Sequence, residues 1–365
     1  MKPSTPQIRL KSSPCQSRNK EGIFINTIIK DAFDAQNDIE TIRQAAKIII
    51  SGGLVAFPTE TVYGLGANAL CENAVKKIFK AKGRPQDNPL IVHVDSMDMI
   101  YPLVEEFDER ARMLSERFWP GPLTIIMKRS KTVPDVVSAG LPTVAIRMPS
   151  DPIAKALIRE AGVPIAAPSA NLSGSPSPTM AQHVISDLSG RIDMILNSHS
   201  CDVGVESTVI SLAGEKPRLL RPGFVTPEEL SEILGEIEID RAVHSSIAND
   251  AVVNAPGMKY KHYAPKAPVY VVKGEFSKFC SFVSQKEGIV AMCFDGEANR
   301  LSVPCIEYGR EGNSQEQASR LFDALRKVDE MGAKAVYARC PECKGVGLAV
   351  TNRLFKAAGF EVIEL

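Results

Sequence analysis

Short apolar segments alternate with amphipathic ones along the first two thirds of the chain. Apolar residues recur at helical spacing over Ile39–Ile50, and Ser51, Gly52 and Gly53 then end the predicted helix. A second helix is predicted at residues 74–80. The predicted strands of this part are residues 54–57, 90–94, 123–127, 143–147, 164–167, 194–196 and 208–212. Many closely spaced strands with few long helices favour an α/β fold built on a twisted, mixed sheet.

The pattern changes after residue 226. Thr226 is followed by Pro227, Glu228 and Glu229, which predicts a helix start. Residues 240–266 lose all periodicity, which predicts a linker. Beyond it, strands are predicted at residues 269–272, 289–293, 335–338 and 362–365, and helices at residues 276–285, 314–331 and 347–358. Ser314 and Gln317 fit a capping box for the second of these helices. The alternation predicts a smaller, Rossmann-like parallel α/β domain.

Composition narrows the class of protein. The 365 residues include 43 basic and 43 acidic side chains, so the formal net charge is zero, which argues against tight binding to nucleic acid or to a membrane surface. Hydrophobic residues make up 44% of the chain, enough for a sizeable core, but no apolar stretch approaches a membrane span. Eight cysteines are too few for a disulfide scaffold and fit a reducing compartment, so we expect a cytoplasmic protein.

The first 37 residues form a polar N-terminal tail in this interpretation. Met1–Lys20 has no apolar segment of a secretory signal. It is basic, contains serine and has no acidic residue before Glu21, so an organellar transit peptide stays open beside a disordered tail.

Two neighbouring stretches carry candidate chemistry. Residues 58–66, PTETVYGLG, follow a predicted strand; they are either a ligand-facing loop or an ordinary strand-to-helix connection with capping threonines. Residues 75–84 contain five basic side chains, most of which suit a solvated helix face. Lys82 and Arg84 differ, because they flank Gly83 beyond the predicted helix on a loop stiffened by proline. Two cations fixed in this way suit a polyphosphate.

Two further stretches could complete a site. Arg147 ends a short predicted strand and is either a surface residue or a carboxylate clamp. Residues 166–179 are rich in small and hydroxyl side chains, so they form either an anion-holding turn or a flexible loop. The common phosphate-loop motif is absent, and Gly345-Val346-Gly347 lacks the third glycine of a dinucleotide fingerprint. Cys340 and Cys343 form a Cys-x-x-Cys pair without a partner pair, which makes zinc improbable.

Taken together and in order, these motifs resemble the YrdC-type threonylcarbamoyl-adenylate synthases. The matching stretches are residues 58–66, 82–85, 89–94, 119–124, 144–149, 167–174, 206–209 and 221–223. The resemblance extends from about Ile39 to Gly235, and residues 257–269 and 345–359 resemble the family's long form. It implies a YrdC-like mixed-sheet catalytic domain over residues 38–236, a linker that acts as a lid over residues 237–266, and a C-terminal α/β domain over residues 267–365.

The resemblance also implies a reaction. L-threonine, bicarbonate or CO2, and ATP would give threonylcarbamoyl-AMP and pyrophosphate, and a separate transferase complex would pass the group to tRNA beside the anticodon. Mg²⁺ would accompany ATP, with no protein ligands assigned. The implied catalytic residues are Lys82, Arg84, Ser169 and Asn171. The implied ATP-binding residues are Arg84, Asn88, Thr143, Ser169, Ser177, Arg221 and Tyr263. The implied threonine-binding residues are Thr61, His93, Arg147, Ala167 and Ser207.

Two other functions compete with this one. A double-stranded RNA or tRNA-binding module without turnover could use the basic cluster of residues 76–84, although zero net charge and the lack of interleaved aromatic residues speak against strong binding. Weak tRNA binding beside catalysis is compatible with the same cluster. Carbamoyl transfer in metal-centre maturation ranks last, because the zinc-finger and acylphosphatase modules that accompany it are missing from the sequence.

Overall fold

The computed structural model describes residues 25–245 and 263–365. The strands of the first part are β1 (Ile28–Asp31), β2 (Val55–Phe57), β3 (Gly64–Asn68), β4 (Ile91–His93), β5 (Leu123–Lys128), β6 (Thr143–Arg147), β7 (Ile165–Ala166), β8 (Met194–Asn197), β9 (Thr208–Ser211), β10 (Arg218–Arg221) and β11 (Glu238–Ile239). Its α-helices are α1 (Ile39–Ile50), α2 (Glu72–Lys82), α3 (Glu109–Phe118), α4 (Asp135–Ser138), α5 (Pro152–Ala161), α6 (Ala181–Leu188) and α7 (Pro227–Leu234).

The strands of the first part form one mixed sheet, as the sequence predicts. Within the described ranges it has eleven strands in the order β1-β8-β2-β3-β7-β4-β6-β5-β9-β10-β11. Both parallel and antiparallel pairs occur, for example β4 with β6 and β4 with β7. The strand β1 lies inside the predicted tail, and β11 lies inside the predicted linker. The sheet therefore reaches beyond residues 38–236 at both ends.

Helices cover both faces of this sheet. On one face α1 and α5 pack together, and Ile42, Ile49 and Leu157 are fully buried there. On the other face the core includes Ile78 of α2 and Leu114 of α3. The amphipathic pattern of α1 explains why it packs against the sheet, since its apolar residues recur on one side of the helix.

The second part folds around its own sheet. Its strands are β12 (Val269–Lys273), β13 (Ile289–Cys293), β14 (Cys305–Glu307), β15 (Ala335–Arg339) and β16 (Val362–Glu364), and its α-helices are α8 (Phe276–Val283), α9 (Ser314–Glu330) and α10 (Val346–Ala358). All pairs are parallel, in the order β14-β13-β15-β12-β16. The predicted parallel α/β domain is confirmed, with β14 as an additional edge strand.

Three local predictions were wrong in detail. The stretch at residues 58–66 does not lead into a helix, because β3 begins at Gly64 and pairs antiparallel with β2. The second helix is longer than predicted, so Lys82 is its last residue and Gly83, in the left-handed region, ends it. Asn313, and not a Ser314–Gln317 box, caps α9 by accepting from the backbone N–H of Glu316. The helix start predicted at Thr226 is confirmed, and the structure adds a capping box between Thr226 and Glu229.

The two parts pack tightly against each other. Val62 and Val205 of the first part belong to the apolar core of the second. Arg326 of α9 forms a largely buried ion pair with Asp187 of α6 and donates to the carbonyl of Pro176 at 2.6 Å. These contacts place α9 and α10 directly behind the loops that form the site described below.

Gly204 sets the distance between the two parts. Its φ is +77°, and a Cβ there would lie 2.3 Å from Cα of Ser319 in α9. We expect Gly204→Ala to lower the free energy of unfolding by about 1–3 kcal/mol more than Gly162→Ala does, because an added methyl overpacks only the first position. Gly162 is the matched control, since its φ is +62° and it faces open space. Urea unfolding measures both, and equal losses would contradict a close approach at Gly204.

Candidate active site

One cleft brings most of the predicted site residues together. About 740 Å³ of space lies between its walls, a volume that includes the solvent at its open mouth. The predicted residues that line it are Thr61, Lys82, Arg84, His93, Arg147, Ala167, Ser169, Asn171, Ser207, Arg221 and Tyr263. The cations at 82 and 84 therefore share a cavity with the hydroxyl-rich turn at 169–171. Loops after several strands and the end of α2 converge there.

Lys82 braces the turn that follows β7. Its Nζ donates to the carbonyls of Ser169 and Asn171, at 2.5 and 2.6 Å. Ser169 in turn donates to Oδ1 of Asn171 at 2.5 Å. Burial, together with the nearby Arg84 charge, lowers the pKa of Lys82 well below its ordinary value, and an anion bound in the cleft would oppose that shift. Lys82 thus holds the turn in shape and places its amino group beside it.

Arg84 and Arg221 place two guanidinium groups on the cleft wall. Burial lowers the pKa of each to about 10, so both stay charged at neutral pH. Arg84 makes a long 3.4 Å contact to the carbonyl of Pro89, and its Nε has no partner among the described residues. Arg221 is fixed by Ser207, to whose carbonyl and hydroxyl it donates at 3.0 and 3.1 Å. Arg84 is the cation best able to turn its donors to a ligand.

Arg147 sits at the other end of the cleft within a buried polar network. Its Nη1 donates to Oγ1 of Thr61 at 2.8 Å, and its Nη2 lies 2.8 Å from Oε2 of Glu60. Thr61 also shares a hydrogen bond with Thr59, which lines the cleft as well. A guanidinium has five N–H groups, so this network leaves donors of Arg147 for a carboxylate. Thr59 stood in the quoted motif but was not among the predicted site residues.

His93 is a neutral group of this network. It lies on β4 opposite Arg147 of β6, and its Nδ1 has no partner in the described ranges. Burial first, and then the Arg147 charge, lower the pKa of His93 to about 3. At neutral pH it therefore offers hydrogen bonds without charge and is too weak a base to carry a proton.

Protonation of His93 should account for part of the loss of folding stability at acidic pH. Between pH 6.5 and about 3 the unfolded chain binds a proton at this residue and the folded chain does not. The free energy of unfolding therefore decreases as the pH is lowered through this range, by up to about 1.4 kcal/mol per pH unit. We expect His93→Gln to remove about that much of the fall between pH 6 and pH 5 in urea unfolding. The exposed His199→Gln is the control; an unchanged pH slope in His93→Gln would contradict a buried neutral His93.

Glu206 is a cleft residue that the sequence reasoning missed. Among the described residues that line the cleft, Glu206 is the one acidic side chain. Four basic side chains line it as well: Lys82, Arg84, Arg147 and Arg221. Its Oε1 accepts from the hydroxyl of Ser177 at 2.5 Å, and its Oε2 accepts from Arg353 of α10 at 2.9 Å. Its position in the motif at residues 206–209 could have marked it as a site residue. A carboxylate at an anion-binding site would repel the ligand, however, and its distant partner Arg353 is not evident from the sequence.

Three predicted ATP-binding residues do not line the cleft. Asn88 is buried in the loop after Arg84, with its Oδ1 unpartnered among the described residues. Ser177 is buried behind Glu206. Thr143 begins β6 and Arg147 ends it, so the two lie about 13 Å apart along the strand. Their roles stay predictions from the resemblance.

The described ranges contain no group of three His, Cys, Asp or Glu side chains placed to hold a metal ion, and this includes Cys340 and Cys343. No helix in residues 25–245 or 263–365 has the length and apolarity to cross a membrane. The seven cysteines of these ranges are free thiols.

Comparisons with known proteins place the chain in a family. Residues 47–223 match the Sua5/YciO/YrdC family model, described as telomere recombination, and residues 225–359 match the model of the threonylcarbamoyl-AMP synthase C-terminal domain. The chain is 49% identical to the threonylcarbamoyl-AMP synthase of Pyrococcus abyssi over 89% of this chain and 96% of the relative. It is 46% identical to that of Bacillus subtilis over 88% and 94% of the two chains, and 40% identical to that of Schizosaccharomyces pombe over 83% and 84%.

Solved structures agree with this assignment. A variant of Pyrococcus abyssi Sua5 matches with a TM-score of 0.87 and 45% identity, over 93% of this chain and 98% of that one. The same protein complexed with L-threonine matches with a TM-score of 0.84 and 45% identity, over 94% and 99% of the two chains. The chain belongs to the Sua5/YciO/YrdC family, in its two-domain threonylcarbamoyl-AMP synthase form.

Proposed function

We propose that this chain joins L-threonine, CO2 from bicarbonate, and ATP into threonylcarbamoyl-AMP with release of pyrophosphate. One observation carries the proposal: Arg84 and Arg221 share a cleft with the Thr61–Arg147 network and with the turn at 169–171. A triphosphate and an amino-acid carboxylate are both anions, and the cleft provides separate cations for each. The product would pass to a tRNA threonylcarbamoyl-transferase complex, and we propose the cytoplasm as its compartment on the grounds of the sequence.

The phosphate end of the cleft would act through charge and position. Arg84 and Arg221 would bind the phosphate oxygens and stabilise the charge that develops on the α-phosphoryl group, while the turn braced by Lys82 holds the nucleotide in place. Mg²⁺ would enter as part of the MgATP substrate, since phosphates and water supply most ligands of such an ion.

The threonine end would prepare the nucleophile. Arg147 and Thr61 would hold the threonine carboxylate. Neutral His93 would contact the ligand without adding a positive charge beside Arg147. The neutral amine of threonine attacks CO2, which forms the N–C bond of a carbamate. The proton that the nitrogen releases passes to solvent, where the dehydration of bicarbonate to CO2 and water consumes one proton. A carbamate oxygen then attacks the α-phosphorus and the bond to pyrophosphate breaks. Holding the carbamate near the α-phosphate converts a bimolecular step into a local one.

The RNA-binding alternative has less support from the geometry. The basic cluster of residues 76–84 does not form one surface: Lys76 pairs with Glu72 at 2.7 Å, Lys77 donates to the carbonyl of Gly52, and Lys82 and Arg84 line the cleft. A protein that holds the RNA backbone needs its cations spread along one face. The cleft instead collects them around a small ligand.

A pyrophosphate-release assay tests the proposal. We expect the purified chain with MgATP to release pyrophosphate only when threonine and bicarbonate are both present. Omission of either should remove the signal. Salt-sensitive tRNA binding without any such release would refute the enzyme and favour the RNA module.

A further inference from the structure

Arg353 of α10 reaches from the C-terminal domain to the back of the cleft. Its side chain is completely buried and is the largest fully buried side chain of the described residues. Its Nε donates to Oε2 of Glu206 at 2.9 Å, and its Nη1 donates to the carbonyl of Pro222 at 2.6 Å. Glu206 precedes Ser207, and Pro222 follows Arg221. One guanidinium therefore ties together the two chain segments that carry the Arg221–Ser207 hydrogen bonds.

The same contact controls the charge of the cleft. Glu206 is an acid on the wall of a cavity that would bind a triphosphate. Burial alone would raise the pKa of Glu206, but the charges of Arg353 and Arg221 and the hydroxyl of Ser177 lower it below its ordinary value, so the carboxylate is ionised. Without Arg353, a buried negative charge would face the phosphates with less compensation, and removing one partner of such a pair is costly.

We propose that Arg353 is a positioning residue for nucleotide binding, by which the C-terminal domain neutralises Glu206 and holds Arg221 in place. This inference deepens the proposed function and rests on it for the identity of the nucleotide. Arg353 does not line the cleft, so it acts through Glu206 and the Arg221–Pro222 backbone. The C-terminal domain is then part of the catalytic unit, because it completes the electrostatics of a site built by the other domain.

Titration calorimetry with MgATP on full-length variants tests the inference independently of turnover. We expect Arg353→Ala to weaken ATP binding at least tenfold. Arg320→Ala, which removes a half-exposed arginine of the neighbouring helix paired with Asp295, is the matched control and should stay within twofold of wild type. Adding Glu206→Gln to Arg353→Ala removes the uncompensated charge, so the double variant should bind ATP at least threefold more tightly than Arg353→Ala.

Each outcome has one meaning. Wild-type ATP affinity in Arg353→Ala overturns the inference and leaves the synthase function intact. If Arg353→Ala loses its fold or its ATP affinity and the added Glu206→Gln change restores neither, the inference is also overturned, because Arg353 would then serve packing alone. Thermal unfolding of both variants measures whether the fold is lost. A wild-type chain that binds MgATP but forms no threonylcarbamoyl-AMP refutes the proposed function, while the affinities still decide the role of Arg353. A wild-type chain that does not bind ATP refutes both.

Discussion

Arg84→Ala should lower the rate of threonylcarbamoyl-AMP formation by more than tenfold with the fold intact. Arg84 is the cleft cation with the fewest internal contacts, so its donors are available to phosphate oxygens. A hydrogen bond to a charged group contributes about 1.5–3 kcal/mol, and each 1.4 kcal/mol lost from the transition state costs about a factor of ten. Steady-state pyrophosphate release measures the loss in kcat/KM for ATP.

Lys76→Ala is the matched control for this change. Lys76 belongs to the same basic stretch but is paired with Glu72 on the exposed face of α2. A surface pair of this kind contributes little, so the variant should retain wild-type activity. Near-normal turnover in Arg84→Ala, or equal losses in both variants, would contradict the assignment of Arg84 to the phosphates.

Arg147→Lys should raise the KM for threonine roughly ten- to hundredfold and leave the KM for ATP within about threefold. The guanidinium of Arg147 contacts Thr61 and Glu60 at 2.8 Å each, and its Nε makes only a long 3.4 Å contact to the carbonyl of Gly121. Lysine keeps the charge that Glu60 needs but loses the planar fork that suits a carboxylate. Initial rates at varied threonine and at varied ATP separate the two constants.

Arg129→Lys provides the comparison for Arg147→Lys. Arg129 also binds backbone carbonyls and an aspartate, but it does not line the cleft. We expect both KM values of this variant to match the wild type. An equal rise in the two KM values of Arg147→Lys would show that the residue maintains the whole site and would contradict a threonine-specific role.

Most helices and strands of the fold could be predicted from local sequence patterns. The helical spacing and glycine stop of Ile39–Ile50 predicted α1 to the residue, and the helix start predicted at Thr226 is confirmed. These features depend on neighbours in the sequence, so a single chain reveals them. The strand β14 was not predicted because it is short, partly exposed and at a sheet edge. It therefore has neither a long apolar run nor strict alternation of apolar and polar residues. Both interpretations of residues 58–66, a ligand-facing loop and a strand-to-helix connection, left out a strand, whereas Gly64 begins β3.

The site was predictable only where chemistry and chain order coincide. Lys82 and Arg84 were singled out as cations on either side of Gly83. Lys82 is the last residue of α2 and not a loop residue, but both lie in the same cavity as Ser169 and Asn171. Glu206 and Arg353 are 147 residues apart in the chain, and no local pattern links them. A buried ion pair between domains is a property of the tertiary fold, and only the packing of α10 behind the cleft reveals why that carboxylate is there.

The most direct test of the account follows three labels into one product. The purified chain is incubated with ¹⁴C-bicarbonate, ³H-threonine and α-³²P-ATP in the presence of Mg²⁺, and the nucleotides are separated by chromatography. The account predicts one new nucleotide that carries all three labels in equal amounts, with an equal amount of pyrophosphate. A nucleotide that lacks the carbon label, or pyrophosphate released without threonine in the product, would contradict it.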